Sequence, residues 1–267
     1  MPENKKVKLL CSFFDAGDNI LVAFSGGVDS SFLLYVLRNF SEAKVSAVTV
    51  KTPYIPRWEL EEAVDFCRAL DVDHKIIDLP LPGAVIMNPP DRCYRCKSIL
   101  FGHIKEYAAA GGFNIIADGS NADDKMDYRP GMKALRELHI HSPLLEADFT
   151  KDEIRKQLKE YGLEIWDKPA YACLLTRIPY NTRINRADLG KIEKCERYLH
   201  TKGFPGARVR LHDSLARIEL DTGYFEKIME PETRNIIIRT FREAGIEFIS
   251  LDLEGYRMGS LNTNKIK

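Results

Sequence analysis

The sequence predicts an α/β fold, a parallel sheet with helices on both faces, followed by a small C-terminal α+β domain. Three observations predict it. Short, continuous apolar runs alternate with helical patterns through the first 180 residues, the mark of strands buried on both faces. A Gly-rich turn joins the first run to the first helix. After Tyr180 the rhythm changes to helix, hairpin, helix and strand. We therefore expect two domains, residues 1–180 and 181–267.

The elements follow in order. Ile20 to Phe24 is a wholly apolar run and reads as the first strand, with an amphipathic helix from Val28 to about Phe40. Val45 to Val50 reads as a second strand, and Trp58 to Leu70 as a helix with Leu60, Val64, Cys67 and Leu70 on its apolar stripe. His74 to Leu79 and Phe113 to Ala117 are strand candidates, separated by a helix from about Cys93 to Ala110 that Gly111-Gly112 stops. Thr150 and Glu153 form a capping-box pattern, opening a helix that ends near Tyr161-Gly162. In the second domain a helix spans about Arg186 to Lys202. A hairpin, Ala207 to Leu211 and Leu215 to Leu220, follows. A long helical pattern from Tyr224 to Ala244 is broken at Pro231, and Ile246 to Leu253 closes as a strand.

Composition narrows the function classes. The 267 residues carry 39 basic and 39 acidic side chains, so the net charge is zero and bulk attraction to nucleic acid is excluded as a working principle. No apolar stretch approaches the roughly 20 residues of a membrane span, and the N-terminus lacks the pattern of a secretion signal. A cytoplasmic location and a reducing compartment are expected. There, neighbouring cysteines are more often metal ligands or catalysts than disulfides.

Two loops carry the chemistry of the first domain. Ser25-Gly26-Gly27-Val28-Asp29-Ser30-Ser31 follows Ala23 at the end of the first strand. Its glycines let the backbone approach a ligand, and the first-turn amides and serine hydroxyls suit an anion. Asp29 in such a loop makes sense if Mg²⁺ is shared with bound phosphates. The second loop, Asp118-Gly119-Ser120-Asn121-Ala122-Asp123-Asp124, begins at the carboxyl end of another strand, where ligands bind to open parallel sheets. Its carboxylates suit Mg²⁺, with Asp29 and Asp123 as the expected ligands, and Arg129 beyond it is placed to face an anion.

Of six cysteines, Cys93 and Cys96 form a CxxC at a helix start and Cys173 follows the last helix of the first domain. Cys11, Cys67 and Cys195 read as core or incidental. Zinc needs four ligands, so three thiolates would need help from His103 or another residue. Three thiolates alone suit a [4Fe-4S] cluster with one open iron, able to hand sulfide to an electrophile. Arg92, Arg95 and Lys97 would favour the thiolate form.

The loop Ser25 to Ser31 resembles the SGGxDS loop of the PP-loop ATP pyrophosphatase superfamily, whose members cleave ATP between its α- and β-phosphates. Further strings narrow the resemblance: Asp127 to Ala134, Trp166-Asp167-Lys168, Arg177-Ile178-Pro179-Tyr180, Ala207 to His212 and Leu215 to Leu220 are similar to the LarE family, over nearly the whole chain. That resemblance implies an ATP-dependent sulfur transferase of nickel-pincer nucleotide cofactor assembly. It would adenylylate the carboxylates of pyridinium-3,5-biscarboxylic acid mononucleotide and convert them to thiocarboxylates. It implies ATP and Mg²⁺ on Ala23, Ser25, Gly26, Gly27, Val28, Asp29, Ser30, Asp118, Gly119, Asp123, Asp124 and Arg129. It further implies a small nucleotide substrate, sulfide or a sulfur donor, and a symmetric homo-oligomer.

The family has two sulfur sources. One branch sacrifices a cysteine of its own; the other holds a [4Fe-4S] cluster on three cysteines. The sacrificial position falls here on Ala172, and Cys93 and Cys96 are both present, which favours the cluster on Cys93, Cys96 and Cys173. Lys97 and Arg177 are the candidates for stabilising negative charge. Arg208 and Arg210 alternate on one strand and are the candidates for the substrate's phosphate, and Glu196, near that sheet, is a candidate for a polar site at a subunit interface. The rival readings are a tRNA-thiolating enzyme, which the charge balance disfavours, a glutamine-fed amidating enzyme, for which there is no glutaminase domain, and a non-catalytic nucleotide-binding protein with structural zinc.

Overall fold

The structure, a computed structural model, describes residues 4–125 and 130–257. The chain divides into two compact units: Met1–Thr52, Arg57–Ala84 and Asp91–Lys168 form one, and Pro53–Pro56, Val85–Pro90 and Pro169–Lys267 the other.

The first unit is built on four parallel strands: β1 (Asn19–Ala23), β2 (Lys44–Lys51), β3 (His74–Asp78) and β4 (Ile115–Asp118), in the order β3-β2-β1-β4. Its helices are α1 (Lys5–Cys11), α2 (Val28–Phe40), α3 (Arg57–Ala69), α4 (Arg92–Ala110), α5 (Pro130–Glu137), α6 (Pro143–Glu146) and α7 (Lys151–Glu160). The central strand explains the apolar run seen in the sequence. Ile20 and Val22 pack with Val7 of α1, Phe32 of α2, Ala63 of α3 and Ile154 of α7. Leu21 points to the opposite face, among Phe101 and Ile104 of α4 and Leu135 of α5. A strand buried on both faces needs an apolar residue at every position, not at alternate ones.

The chain runs outward from β1 to β2 to β3 and then returns to β4 on the other side of β1. The switch point therefore lies between β1 and β4, where Ala23 pairs in register with Asp118. That is where an open parallel sheet leaves a crevice at its carboxyl edge. β4 begins two residues later than the sequence suggests because the end of α4 consumes the intervening backbone. The Gly111 N–H donates to the Tyr107 carbonyl at 2.9 Å and the Phe113 N–H to Ala108 at 3.0 Å, with Gly112 at φ +70°. The capping box of α7 is formed as expected, Thr150 and Glu153 each accepting the other's backbone N–H.

The second unit holds a mixed three-stranded sheet. β5 (Arg208–His212) and β6 (Leu215–Glu219) form an antiparallel hairpin, with Asp213 at φ +54° in its tight turn. β7 (Phe248–Leu251) adds parallel to β6, and helices α8 (Arg186–Thr201), α9 (Phe225–Met229) and α10 (Pro231–Glu243) complete the unit. Pro231 opens α10 at its first turn, where its missing N–H costs nothing. Asn88 fastens Val85–Pro90 into this unit. Its backbone sits at φ +46°, and its buried side-chain amide donates to the carbonyls of Leu175 (3.2 Å), Ile178 (2.8 Å) and Pro179 (2.9 Å). Among the described residues no helix is long and apolar enough to cross a membrane.

Candidate functional site

The loop after β1 is shaped by its glycines. Gly26 lies at φ +70°, and a Cβ there would come within 3.0 Å of the Ala63 Cβ and 3.2 Å of the Glu59 carbonyl. Gly27 is the N-cap of α2 and brings no side chain to its first-turn amides, which are left to an outside acceptor. The hydroxyls are drawn inward. Ser25 Oγ accepts from the Gly27 N–H at 3.3 Å and lies 3.1 Å from Ser30 Oγ, which donates to the Gly27 carbonyl. Among the described residues Ser31 Oγ is buried without a protein partner, while the Asn121 side chain in the loop after β4 reaches Asp29 and stabilises its carboxylate.

The loop after β4 closes on this first turn. A Cβ at Gly119 would stand 2.8 Å from the Ser30 N and 3.0 Å from its Cα, both rigid backbone. Gly119→Ala should therefore push β4 and α2 apart, costing about 1–3 kcal/mol of stability by overpacking and weakening ATP binding more than it changes the fold. Isothermal titration with ATP beside a urea unfolding curve would check this; unchanged affinity would show that the close approach is dispensable.

The four acidic residues behave differently. Asp118 is buried and its two oxygens accept from Ser120 Oγ at 2.5 Å and Ser142 Oγ at 2.6 Å. Asp123 is exposed and caps α7 by accepting the Lys151 N–H at 2.8 Å. Asp124 is buried, with Lys151 Nζ 3.6 Å away. Asp29 feels both: burial pushes its carboxyl up to about 6, Lys151 and Arg155 oppose the rise, and Asp124 adds to it. Asp124 thus acts on Asp29 through its charge, while Asp123 is engaged by the first backbone N–H of α7. Two neighbouring carboxylates, one of them hard to ionise alone, suit a shared Mg²⁺.

Two lysines escaped the sequence reading. Lys168 Nζ donates to the Gly26 carbonyl at 2.6 Å and pairs with Glu62 at 2.6 Å, while Arg155 holds the Lys168 carbonyl at 2.8 Å. Lys168 therefore fixes the loop's left-handed glycine from a point 142 residues away. Lys151 opens α7 beside Asp124. Their only sequence signals were the string Trp166-Asp167-Lys168 and the capping box.

Cys93 and Cys96 sit one turn apart at the start of α4, exposed and half-buried respectively. Lys97 packs its stem where a Cβ on Gly131 would fall, and Arg95 is paired with Asp91 at 2.9 Å. Cys173 is half-buried in the second unit. By contrast, burial pushes the thiols of Cys11 up to about 11 and of Cys67 and Cys195 up to about 12, so these three stay protonated at neutral pH. Burial separates Cys67 and Cys195 from the rest, whereas Cys11 is half-buried like Cys96 and Cys173 and is set apart by its raised thiol pKa. Among the described residues, no three His, Cys, Asp or Glu side chains are gathered as a metal site.

In the second unit Arg177 is 1% exposed and forms a bidentate pair with the fully buried Glu196, at 2.6 and 3.0 Å. Glu196 also accepts the Val209 N–H at 2.8 Å, tying α8 to β5. Arg210 is paired bidentately with Glu219, both contacts at 2.9 Å, and Arg208 lies with its Cζ 4.0 Å over the Tyr256 ring. Arg129 lies outside the described residues, as does Asp127-Tyr128.

Comparison with known proteins bears on this arrangement. Residues 19–88, covering β1 to β3 and the phosphate loop, match the family described as Queuosine biosynthesis protein QueC. An uncharacterized Synechocystis sp. protein, slr1717, is 36% identical over 96% of this chain and 97% of its own. The pyridinium-3,5-bisthiocarboxylic acid mononucleotide synthase of Lactiplantibacillus plantarum is 32% identical over 98% of this chain and 95% of its own. An uncharacterized protein of Methanocaldococcus jannaschii, MJ0830, is 34% identical over 89% and 90%. With a phosphate loop at the sheet's switch point and a relative of that identity matched from end to end, the chain belongs to the LarE family of PP-loop ATP-dependent sulfurtransferases.

Proposed function

We propose that the protein adenylylates the carboxylates of pyridinium-3,5-biscarboxylic acid mononucleotide and converts them to thiocarboxylates, in assembly of the nickel-pincer nucleotide cofactor. The observation that carries this reading is the end-to-end match to the Lactiplantibacillus plantarum synthase, which includes the second unit as well as the phosphate loop. The loop from Ser25 to Ser31 binds the phosphates of ATP through the first-turn amides of α2. Asp29 and Asp124 hold Mg²⁺ against them. A substrate carboxylate oxygen attacks the α-phosphorus, the bond to the bridging oxygen breaks, and pyrophosphate leaves with its electrons. Sulfide then adds to the acyl carbon and AMP departs with the C–O electron pair. Arg208 receives the substrate's 5′-phosphate, with the charge of Arg210 beside it.

Cys93, Cys96 and Cys173 hold a [4Fe-4S] cluster in this reading. Bound there, the cluster supplies an open iron from which sulfide is delivered. Two observations support the assignment: none of these three thiols is buried, and Ala172 leaves no cysteine at the sacrificial position. Lys97, one residue from Cys96, supplies positive charge beside them.

The test is anaerobic purification followed by visible absorption, iron and sulfide assay, and measurement of AMP and thiocarboxylate. We expect a brown protein that turns over repeatedly and whose colour and sulfur transfer are lost in Cys93→Ala and Cys96→Ala. A colourless, iron-free protein whose activity survives both substitutions would sink the cluster assignment. Loss of one H₂S from the protein's mass after a single turnover would place the sulfur source in the chain itself.

A further inference from the structure

The segment that carries Cys173 is held by three guanidinium groups of the second unit. Arg208 Nη2 donates to the Ala170 carbonyl at 3.1 Å, three residues before the cysteine. Arg210 Nη1 donates to the Thr176 carbonyl, three residues after it. Arg177 Nη1 donates to Thr176 Oγ1 at 2.6 Å, and that hydroxyl donates in turn to the carbonyl of Cys173 at 2.9 Å. The residues read as the phosphate site are thus also the residues that tie down both flanks of the cysteine.

The two ties are not equivalent. Arg177 and Arg210 are each locked to a buried carboxylate, Glu196 and Glu219. Among the described residues Arg208 has no carboxylate; its partners there are the neutral Ala170 carbonyl and the face of Tyr256. Its position is strained electrostatically, because burial and then the neighbouring Arg177 and Arg210 charges push its pKa down to about 10. An arriving phosphate would offer Arg208 an opposite charge and a bidentate partner, where the Ala170 carbonyl offers one neutral oxygen.

We infer that Arg208 is a positioning residue for Cys173: it holds the Ala170 carbonyl when no anion is bound and gives that bond up to a phosphate. This rests on the reading of Arg208 and Arg210 as the substrate-phosphate site. The downstream tie at Thr176 stays closed, since Arg210 and Arg177 remain paired with their carboxylates. Release at Ala170 therefore loosens the upstream flank, residues 170–172, while Thr176 keeps the Cys173 carbonyl through its N–H at 3.0 Å and its hydroxyl, and the cover over the thiol changes when substrate phosphate is in place. Tyr171, stacked on His200 with centroids 5.0 Å apart, limits how far the segment travels. Sulfur transfer would in this way be made conditional on a seated nucleotide.

The test uses the full chain, freed of metal by a chelator, and inorganic phosphate as the probe. The rate of iodoacetamide alkylation is followed cysteine by cysteine by peptide mass spectrometry, and phosphate binding by calorimetry. In the wild type, saturating phosphate should change the Cys173 rate several-fold and leave Cys93 unchanged. Arg208→Gln should show the phosphate-bound rate without phosphate and respond no further, and Arg208→Lys should fall between. Buried Cys195 must stay unreactive in every variant, which certifies the fold. Phosphate held by the loop after β1 survives in Arg208→Gln and is thereby separated.

Three outcomes decide the matter. A shifted Cys173 rate that disappears in Arg208→Gln supports the inference. Phosphate that binds in an Arg208-dependent way without altering the Cys173 rate overturns it and leaves the phosphate site standing. Absence of any Arg208-dependent phosphate binding overturns the site and the inference together.

Discussion

Asp29→Asn should leave a protein that is more stable than the wild type and nearly inactive. The carboxyl of Asp29 is raised from 3.8 to about 6 chiefly by burial. The folded protein therefore binds a proton in a pH range where the unfolded chain has released it. Stability is greatest below the unfolded value and falls as pH rises through about 6, by up to about 3 kcal/mol at roughly 1.4 kcal/mol per unit. Asparagine keeps the shape and removes the charge, so its unfolding free energy at pH 7 should exceed the wild type's by about 1–3 kcal/mol, the lower end allowing for solvent reaching the group. The gain should vanish below about pH 4, where the wild type is protonated in both states.

Activity moves the other way, because Mg²⁺ needs the anion. We expect AMP formation to fall by roughly 100-fold or more, the scale on which one electrostatic contact to a developing charge is measured. In the wild type, magnesium affinity should weaken as pH drops through about 6, because the proton competes for the same oxygen. Urea unfolding of both proteins between pH 4 and 8, with an AMP assay, checks both halves. A destabilised Asp29→Asn protein at pH 7 would show that the carboxylate is compensated within the apo fold.

Glu196→Gln should produce the largest loss of stability of any single side-chain change in the second unit. Glu196 is fully buried and Arg177 nearly so, and the two charges meet in a bidentate contact. Removing one charge leaves a guanidinium stranded in a low-dielectric interior, which costs about 3–5 kcal/mol. Glutamine still offers an oxygen to the Val209 N–H, so the loss would report the charge rather than the missing backbone bond. The double change Arg177→Met with Glu196→Leu should recover most of it, because replacing both partners by apolar groups avoids the stranded charge. The check is the urea midpoint of the wild type and both variants at equal m-value; a Glu196→Gln protein within about 1 kcal/mol of wild type would mean that water reaches the pair.

The same pair shows where sequence reading reaches its limit. β1 was legible because an apolar residue at every position has one physical explanation, a strand covered on both faces. The phosphate loop was legible because two adjacent glycines after such a strand have few uses, and the capping box of α7 because its partners are three residues apart. Arg177 offered no such local sign. In the sequence it reads as a charge available for catalysis; in the fold it is consumed by Glu196, 19 residues away. The grip of Lys168 on the Gly26 carbonyl, the parallel addition of β7 to β6, and the inclusion of Val85–Pro90 in the second unit were equally hidden. Each depends on which distant segments meet, and a single long-range contact imposes no periodicity on the residues that make it.

One of those hidden joints has a bearing on how the protein ages. Asparagine side chains deamidate when the nitrogen of the next residue attacks the amide carbon, and conversion to aspartate at position 88 would set an anion against the three carbonyls it now serves. Residue 89 is proline, whose ring nitrogen carries no hydrogen and does not close the usual succinimide. The fastening of Val85–Pro90 is thus guarded by covalent chemistry against the common route of its decay.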